Sequence, residues 1–313
     1  FGGEYRQTKY EGTRMGIGGD NVQDITQNGL TKKMSGKSVN TYAGYIQDEW
    51  LASDKLLVIP SIRYDHDSSF GGNVAPKIGF TYSAQENTRL KINYGKGFKS
   101  PTVSELYMRM ARGMGAFIIE VTGNPDLKPE KSTNFDISIE GERGNNFGKI
   151  TYFNNKVTNL IGTAPEVIVP PNIRRTSYIN INKADISGTE MELGRHINDN
   201  LTIKVTGNWI NAKNATTNAR LTGRAKSIHT VQLSYDDKKA DGYNVIVWNE
   251  FTNSFLRAAN EEYTYNTFNL VVNKKLGKDR RAYIGLDNIF DRKNDNLNHV
   301  NGRQWRAGVV MSF

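Results

Sequence analysis

Residues 56–98 read LLVIPSIRYDHDSSFGGNVAPKIGFTYSAQENTRLKINYGKGF. Three runs within this stretch alternate apolar and polar residues. Val58, Pro60, Ile62 and Tyr64 alternate with Ile59, Ser61, Arg63 and Asp65. Pro76, Ile78, Phe80 and Tyr82 alternate with Lys77, Gly79 and Thr81, and Leu90, Ile92 and Tyr94 with Lys91 and Asn93. Successive strand side chains point to opposite faces, so each run reads as a strand with one apolar and one polar face. The link SAQEN (83–87) is short, whereas 66–73 is longer.

The same pattern recurs along the chain. Strands are expected near 1–10, 39–52, 56–65, 74–83, 88–98, 133–142, 148–162, 177–195, 201–212, 227–236, 243–255, 264–276, 281–290 and 303–313, about fourteen in all. The segment MRMARGMGAF (108–117) is expected to hold a short turn of helix inside a loop. Connections alternate between two kinds. Short ones lie at 53–55, 83–87, 143–146, 196–200, 236–242 and 277–280; longer ones are 11–38, 66–73, 99–132, 163–176, 213–226, 256–263 and 291–302. An up-and-down meander with one plain rim and one elaborate rim has this asymmetry, as do outer-membrane barrels.

Composition agrees. Apolar residues make up 37% of the 313 residues, too few to fill a thick core but enough for one face of a sheet. There is no cysteine, which excludes disulfides and thiolate-held metals. No apolar run approaches the length of a membrane-spanning helix, but a tilted barrel strand needs only about 9–11 residues. Trp50, Tyr64, Tyr82, Tyr94, Trp209 and Trp305 fit an aromatic girdle. The net charge of +9 is dispersed, which argues against nucleic acid. The expected fold is all-β: a transmembrane antiparallel up-and-down β-barrel. The chain opens FGGEYRQ in a strand-like register with no signal peptide. Residues 1–313 are therefore expected to form the C-terminal portion of a larger barrel.

Several stretches resemble TonB-dependent outer-membrane receptors. VNTYAGYIQDEW (39–50) is similar to the family's strand ending in QDEW, and IPSIRYDHDSSFGGNVAPKIGFTY (59–82) to its RYD hairpin. YGKGFKSPTVSELY (94–107) and GNPDLKPEKS (123–132) resemble its G-F-[RK]-[AST]-P and N-P-x-L-K-P-E boxes. DISGTEMEL (185–193) and YIGLDNIFDRK (283–293) resemble two later strands. The chain ends in Phe313, which the resemblance implies is a membrane-insertion signal. It further implies a 22-stranded barrel in the bacterial outer membrane. The plug domain and the segment that contacts TonB would be absent from this chain.

No catalytic constellation appears; no enzyme activity, cofactor or metal site is expected. The DHD at 65–67 reads as a solvated acidic turn. The binding reading rests on the long-loop rim. Lys213, Arg220, Arg224 and Lys226 share loop 213–226 with no acid, and Arg174 and Arg175 face only Glu166 in loop 163–176. This favours an anionic ligand or the phosphates of lipopolysaccharide. Loop 99–122 adds Tyr107, Met108, Met110, Met114 and Phe117, apolar groups that gain nothing from water. Candidate ligand residues are Phe98, Tyr107, Met110, Arg112, Met114, Phe117, Arg174, Arg175, Arg220 and Arg224. The resemblance implies a histidine between the two boxes in haem receptors of the family, and residues 98–127 contain none, so ferric siderophore ranks first, haem second and cobalamin third. A monomer is expected, in contact with outer-membrane lipid. A passive 14-strand pore and a soluble β-rich adhesin are the alternatives. Pro125 and Pro129 in GNPDLKPEKS read as shaping the loop rather than touching ligand.

Overall fold

The computed structural model describes residues 1–14, 20–27, 30–239, 242–277, 279–297, 300 and 302–311, and the side chains of 20–27, 30–35, 114 and 182 are not among the described groups. Nineteen strand segments and one short helix are present among the described residues. In chain order the strands are β1 Gly2–Gly12, β2 Asp20–Gln27, β3 Leu30–Gln47, β4 Trp50–Ser53, β5 Leu56–Asp67, β6 Gly71–Gln85 and β7 Thr88–Lys99. Helix α1, Val103–Tyr107, precedes β8 Arg109–Met114, β9 Phe117–Thr122, β10 Glu130–Arg143, β11 Asn146–Thr163 and β12 Val167–Val169. The remainder are β13 Ile173–His196, β14 Leu201–Asn214, β15 Ser227–Asp236, β16 Tyr243–Ala258, β17 Glu261–Lys275, β18 Arg280–Asp287 and β19 Gln304–Met311.

Fourteen staves make the wall, matching the expected strands one for one. β3 and β4 form one of them, since both pair with β5 and the Asp48 amide donates to the Pro60 carbonyl at 3.1 Å. Each stave pairs antiparallel with the next, and β7 reaches β10 across the loop between them. β2, β8, β9 and β12 are extra: they lie in segments expected to be loops, where the long connections satisfy their backbone groups by pairing with one another (β8 with β9) or with the stave beside them (β2 with β3, β12 with β13). Links 66–73 and 256–263 are shorter than expected. The strands run on into them and turn at Ser68–Phe70 and at Asn260, whose φ is 64°. The acidic turn is held internally: Asp65 pairs with Arg63 at 2.8 Å, and Asp67 accepts from the Ser69 amide at 2.7 Å.

Register gives the wall two faces. Leu90, Ile139, Ile150 and Met191 lie side by side across β7, β10, β11 and β13. One residue along, Arg89, Glu140, Lys149 and Glu192 line the other face. There Glu140 meets Lys91 at 2.7 Å and Arg89 at 3.0 Å, and Glu192 meets Lys204 at 3.4 Å. The charged face lines a polar lumen, and the apolar face with its six girdle aromatics is turned outward and exposed. The accessible surface is 20084 Å², against roughly 13,000 Å² for a compact monomer of this mass. The molecule is a single curved layer with no central core. Several of its buried apolar residues sit in the rim loops instead, among them Val103, Leu106, Leu127 and Leu297. Among the described residues, β1 pairs only with β3 and β19 only with β18.

Candidate ligand-binding rim

The longest tied loop begins after β7. Thr102 and Glu105 form a capping box: the Glu105 amide donates to Thr102 Oγ1 at 3.2 Å, and the Thr102 amide donates to Glu105 Oε2 at 2.6 Å. Helix therefore forms at 103–107. The segment expected to be helical, 108–117, instead becomes the hairpin β8–β9, turning at Gly115 with φ 60°. The T-x-x-E spacing was the signal for the helix's true position. Val103 and Leu106 are buried, and so is Leu127 on the returning chain.

That returning chain is GNPDLKPEKS. A Cβ at Gly123 would lie 2.5 Å from the Leu106 carbonyl carbon, so only glycine allows this approach. The Gly123 amide donates to Met108 O at 2.6 Å and the Asn124 amide to Glu105 O at 2.8 Å. Further ties run to the neighbouring staves. Asn124 Nδ2 donates to Tyr178 O at 3.0 Å, the Lys128 amide to Asn180 Oδ1 at 2.8 Å, and the Ile161 amide to Glu130 Oε1 at 2.9 Å. This segment is a buttress that fixes where β8 and β9 stand.

β9 pairs parallel with the N-terminal end of β13, and β12 covers that end from the other side. A four-stranded sheet, β8–β9–β13–β12, thus rises from the long rim. Arg112 and Arg174 both sit opposite Ile119, on one face. Met110 and Phe117 share that face by alternation, and the Arg174 guanidinium lies 4.3 Å from the Phe117 ring centre. Arg174 also reaches Glu166 at 3.4 Å, but its Nε is buried with no hydrogen-bond partner among the described residues. Arg175 faces the other way and is held by Glu120 at 2.7 Å, which Arg109 approaches at 3.8 Å. Tyr107 stands apart at the end of α1, with Lys37 Nζ 5.5 Å from its ring centre.

The second basic loop, 215–226, is bound to the β16–β17 hairpin. Arg220 Nη1 meets Glu262 at 2.9 Å and Nη2 donates to Ser254 O at 2.8 Å, while Lys226 meets the same carboxylate at 3.2 Å. The Ser254 hydroxyl, Lys226 and Arg220 together hold the Glu262 carboxyl down at a pKa of about 2. Arg224 donates to Thr222 O at 3.2 Å. Glu262 was missed because it lies on a separate, acidic loop, and only the fold brings it to the basic one.

The candidate residues thus divide. Met110, Arg112, Phe117 and Arg174 come together; Arg175, Arg220 and Arg224 are held by protein groups. Phe98 lies on the outward face, in alternation with Tyr94 rather than over the lumen. The Met114 side chain and Phe313 lie outside the described residues.

The sequence matches the family described as "TonB dependent receptor-like, beta-barrel" over residues 1–289. The chain belongs to this family of bacterial outer-membrane barrels. Among relatives, it is 24% identical to the ferrienterobactin receptor of Escherichia coli K12, covering 96% of this chain and 43% of that protein. It is 28% identical to the vitamin B12 transporter of Photobacterium profundum, covering 72% of this chain and 35% of that protein. The fold superposes on a crystal structure of the ferric enterobactin receptor of Pseudomonas aeruginosa with a TM-score of 0.74 at 20% identity, over 99% of this chain and 50% of that one. The chain spans less than half the length of these two curated relatives.

Proposed function

We propose that this chain is the C-terminal, ligand-receiving part of a TonB-dependent receptor for an anionic iron complex of the ferric siderophore class. The observation that carries the reading is the Met110–Arg112–Phe117–Arg174 face at the long rim. Two guanidinium groups beside an aromatic ring and a thioether suit a ligand that is both negatively charged and flat. The buried, unpartnered Nε of Arg174 is a donor that such a ligand could satisfy. The ferrienterobactin relative, aligned over nearly the whole chain, supports the same class. The two edges at β1 and β19 are unpaired among the described residues. Lipid cannot satisfy edge hydrogen bonds, so in the bilayer further staves close the ring between them. Transport then draws on TonB through parts of the receptor beyond this chain.

The test is to titrate the detergent-solubilised receptor with a ferric catecholate siderophore, with haem and with cobalamin, following tryptophan fluorescence. Saturable quenching by the siderophore, weakened in Arg112→Ala/Arg174→Ala, is expected. Binding of haem or cobalamin with no response to the siderophore would overturn the assignment.

A further inference from the structure

On the reading of the Met110–Arg112–Phe117–Arg174 face as the receiving site for an anionic iron complex, we infer that Glu166 sets its specificity. Glu166 occupies Arg174 until a polyanion broad enough to reach Arg112 as well displaces it, and so keeps small anions out. Counted in twos along β13 from Glu190 and Glu192, Arg174 falls on the lumen side of the wall and Arg175 on the outward side. The two sides hold their arginines differently. On the outward side Arg175 lies 2.7 Å from Glu120, whose side chain is only 12% exposed, so this pair is built into the sheet. On the lumen side Arg174 Nη1 lies 3.4 Å from Glu166, whose side chain is 42% exposed. That contact is long for a charge-assisted hydrogen bond, and water screens it.

Ile168 stands opposite Arg174, and Glu166 lies two residues back on the same face, diagonal to the arginine. Segments 109–122 and 166–177 hold two acids, Glu120 and Glu166, and Glu120 shares the outward side with Arg175. Glu166 is therefore the one carboxylate these segments place beside the two arginines of the lumen side. Arg174 is otherwise fixed: its guanidinium lies 4.3 Å from the Phe117 ring centre, and its Nε is buried with no partner among the described residues. Arg112 is exposed and in no ion pair among the described residues. Neighbouring strands are about 4.8 Å apart, so the two arginine backbones stand about 10 Å apart across β9. Displacing Glu166 is thus a threshold. A small anion such as phosphate that takes Arg174 exchanges one charged contact for another, and it meets the displaced carboxylate at close range. A broad polyanion loses the same contact but gains the Arg112 guanidinium, the Phe117 ring and the Arg174 Nε. Only the second exchange is favourable. A tris-catecholate complex of ferric iron, a broad trianion, meets this condition, whereas phosphate and sulfate do not.

The test is competition on the full-length receptor in detergent. Binding of a ferric tris-catecholate siderophore is followed by tryptophan fluorescence in rising inorganic phosphate, with ionic strength held constant by sodium chloride. In the unaltered receptor phosphate is expected to shift the apparent Kd by less than about twofold. In Glu166→Gln the siderophore should bind about threefold tighter without phosphate, and the same phosphate series should weaken it about fivefold. In an Arg174→Ala background, adding Glu166→Gln should leave phosphate sensitivity unchanged, because the arginine that phosphate would take is gone. Phosphate sensitivity that does not rise in Glu166→Gln, or that rises equally in the Arg174→Ala background, overturns the role of Glu166 and leaves the receptor reading standing. An unaltered receptor that binds no ferric siderophore overturns both. Glu166→Ala is made in parallel, and whichever of the two variants shows the heat-dependent gel shift of a folded barrel decides.

Discussion

Two regions of the long rim carry arginines and use them in opposite ways. Loop 213–226 has four basic residues and no acid, yet Arg220 and Lys226 both close on Glu262 from the neighbouring hairpin. Loops 99–122 and 163–176, which build the β8–β9–β13–β12 sheet, each hold one more basic than acidic residue, yet they present Arg112 and Arg174 on one face beside Phe117. Local net charge along a chain therefore does not measure the charge available to a ligand. What matters is which loops the barrel sets side by side, and staves adjacent in the wall bring adjacent loops into ion-pairing range.

The largest expected effect separates the two regions by destroying one. Gly123→Val places side-chain carbon against the Leu106 backbone, which cannot yield. It should detach α1 from the buttress, abolish siderophore binding and expose 103–123 to limited proteolysis, leaving 215–226 as resistant as before. Unchanged cleavage between these residues would mean that the buttress does not hold the loop. Leu106→Ala removes the most deeply buried loop side chain and should cost about 2–5 kcal/mol locally, read as faster amide exchange over 103–127.

Next in size is the ligand effect. Arg112→Ala/Arg174→Ala should weaken the siderophore about tenfold or more, since charge-assisted contacts to an anion are lost. Arg220→Ala should change affinity by less than about threefold, because its partner is Glu262 and not the ligand. Equal losses in the two variants would erase the distinction between the regions.

The smallest effect depends on pH. Glu262 has a pKa of about 2 in the folded loop against an ordinary 4.5. Its contribution is thus complete above the ordinary value and is lost as pH falls through the folded one. The protection factors of amides 220–226, measured from pH 6 down to 3 and so corrected for the intrinsic pH dependence of exchange, should fall at the acid end in the unaltered protein. In Glu262→Gln they should be low throughout. An acid response that survives in the glutamine variant would place the titrating group elsewhere.

Much of the wall was legible from alternation. Runs such as 56–65, 74–83 and 88–98 are strands as expected, and register confirms that Ile78, Tyr94 and Phe135 share one face. The rim was less legible. Residues 109–122 carry no clean alternation of polarity, so the β8–β9 hairpin was read as loop with a helical turn. Phe98 was assigned to the ligand although simple alternation from Tyr94 already sends it outward. The glycine of GNPDLKPEKS was visible, but the Leu106 carbonyl it must approach was not.

Alternation and connection length along the chain already specify a one-layer sheet with a wet face and an oily face, and which rim is elaborate. Period-two polarity and connection length are local properties, and each strand declares them without reference to its neighbours. Which charges are free depends instead on how the staves are set side by side. Whether Arg220 meets Glu262 and whether Arg174 lies over Phe117 are both matters of lateral register. Register joins residues that lie far apart in the chain, and Coulomb interactions depend on distance in space rather than along the sequence.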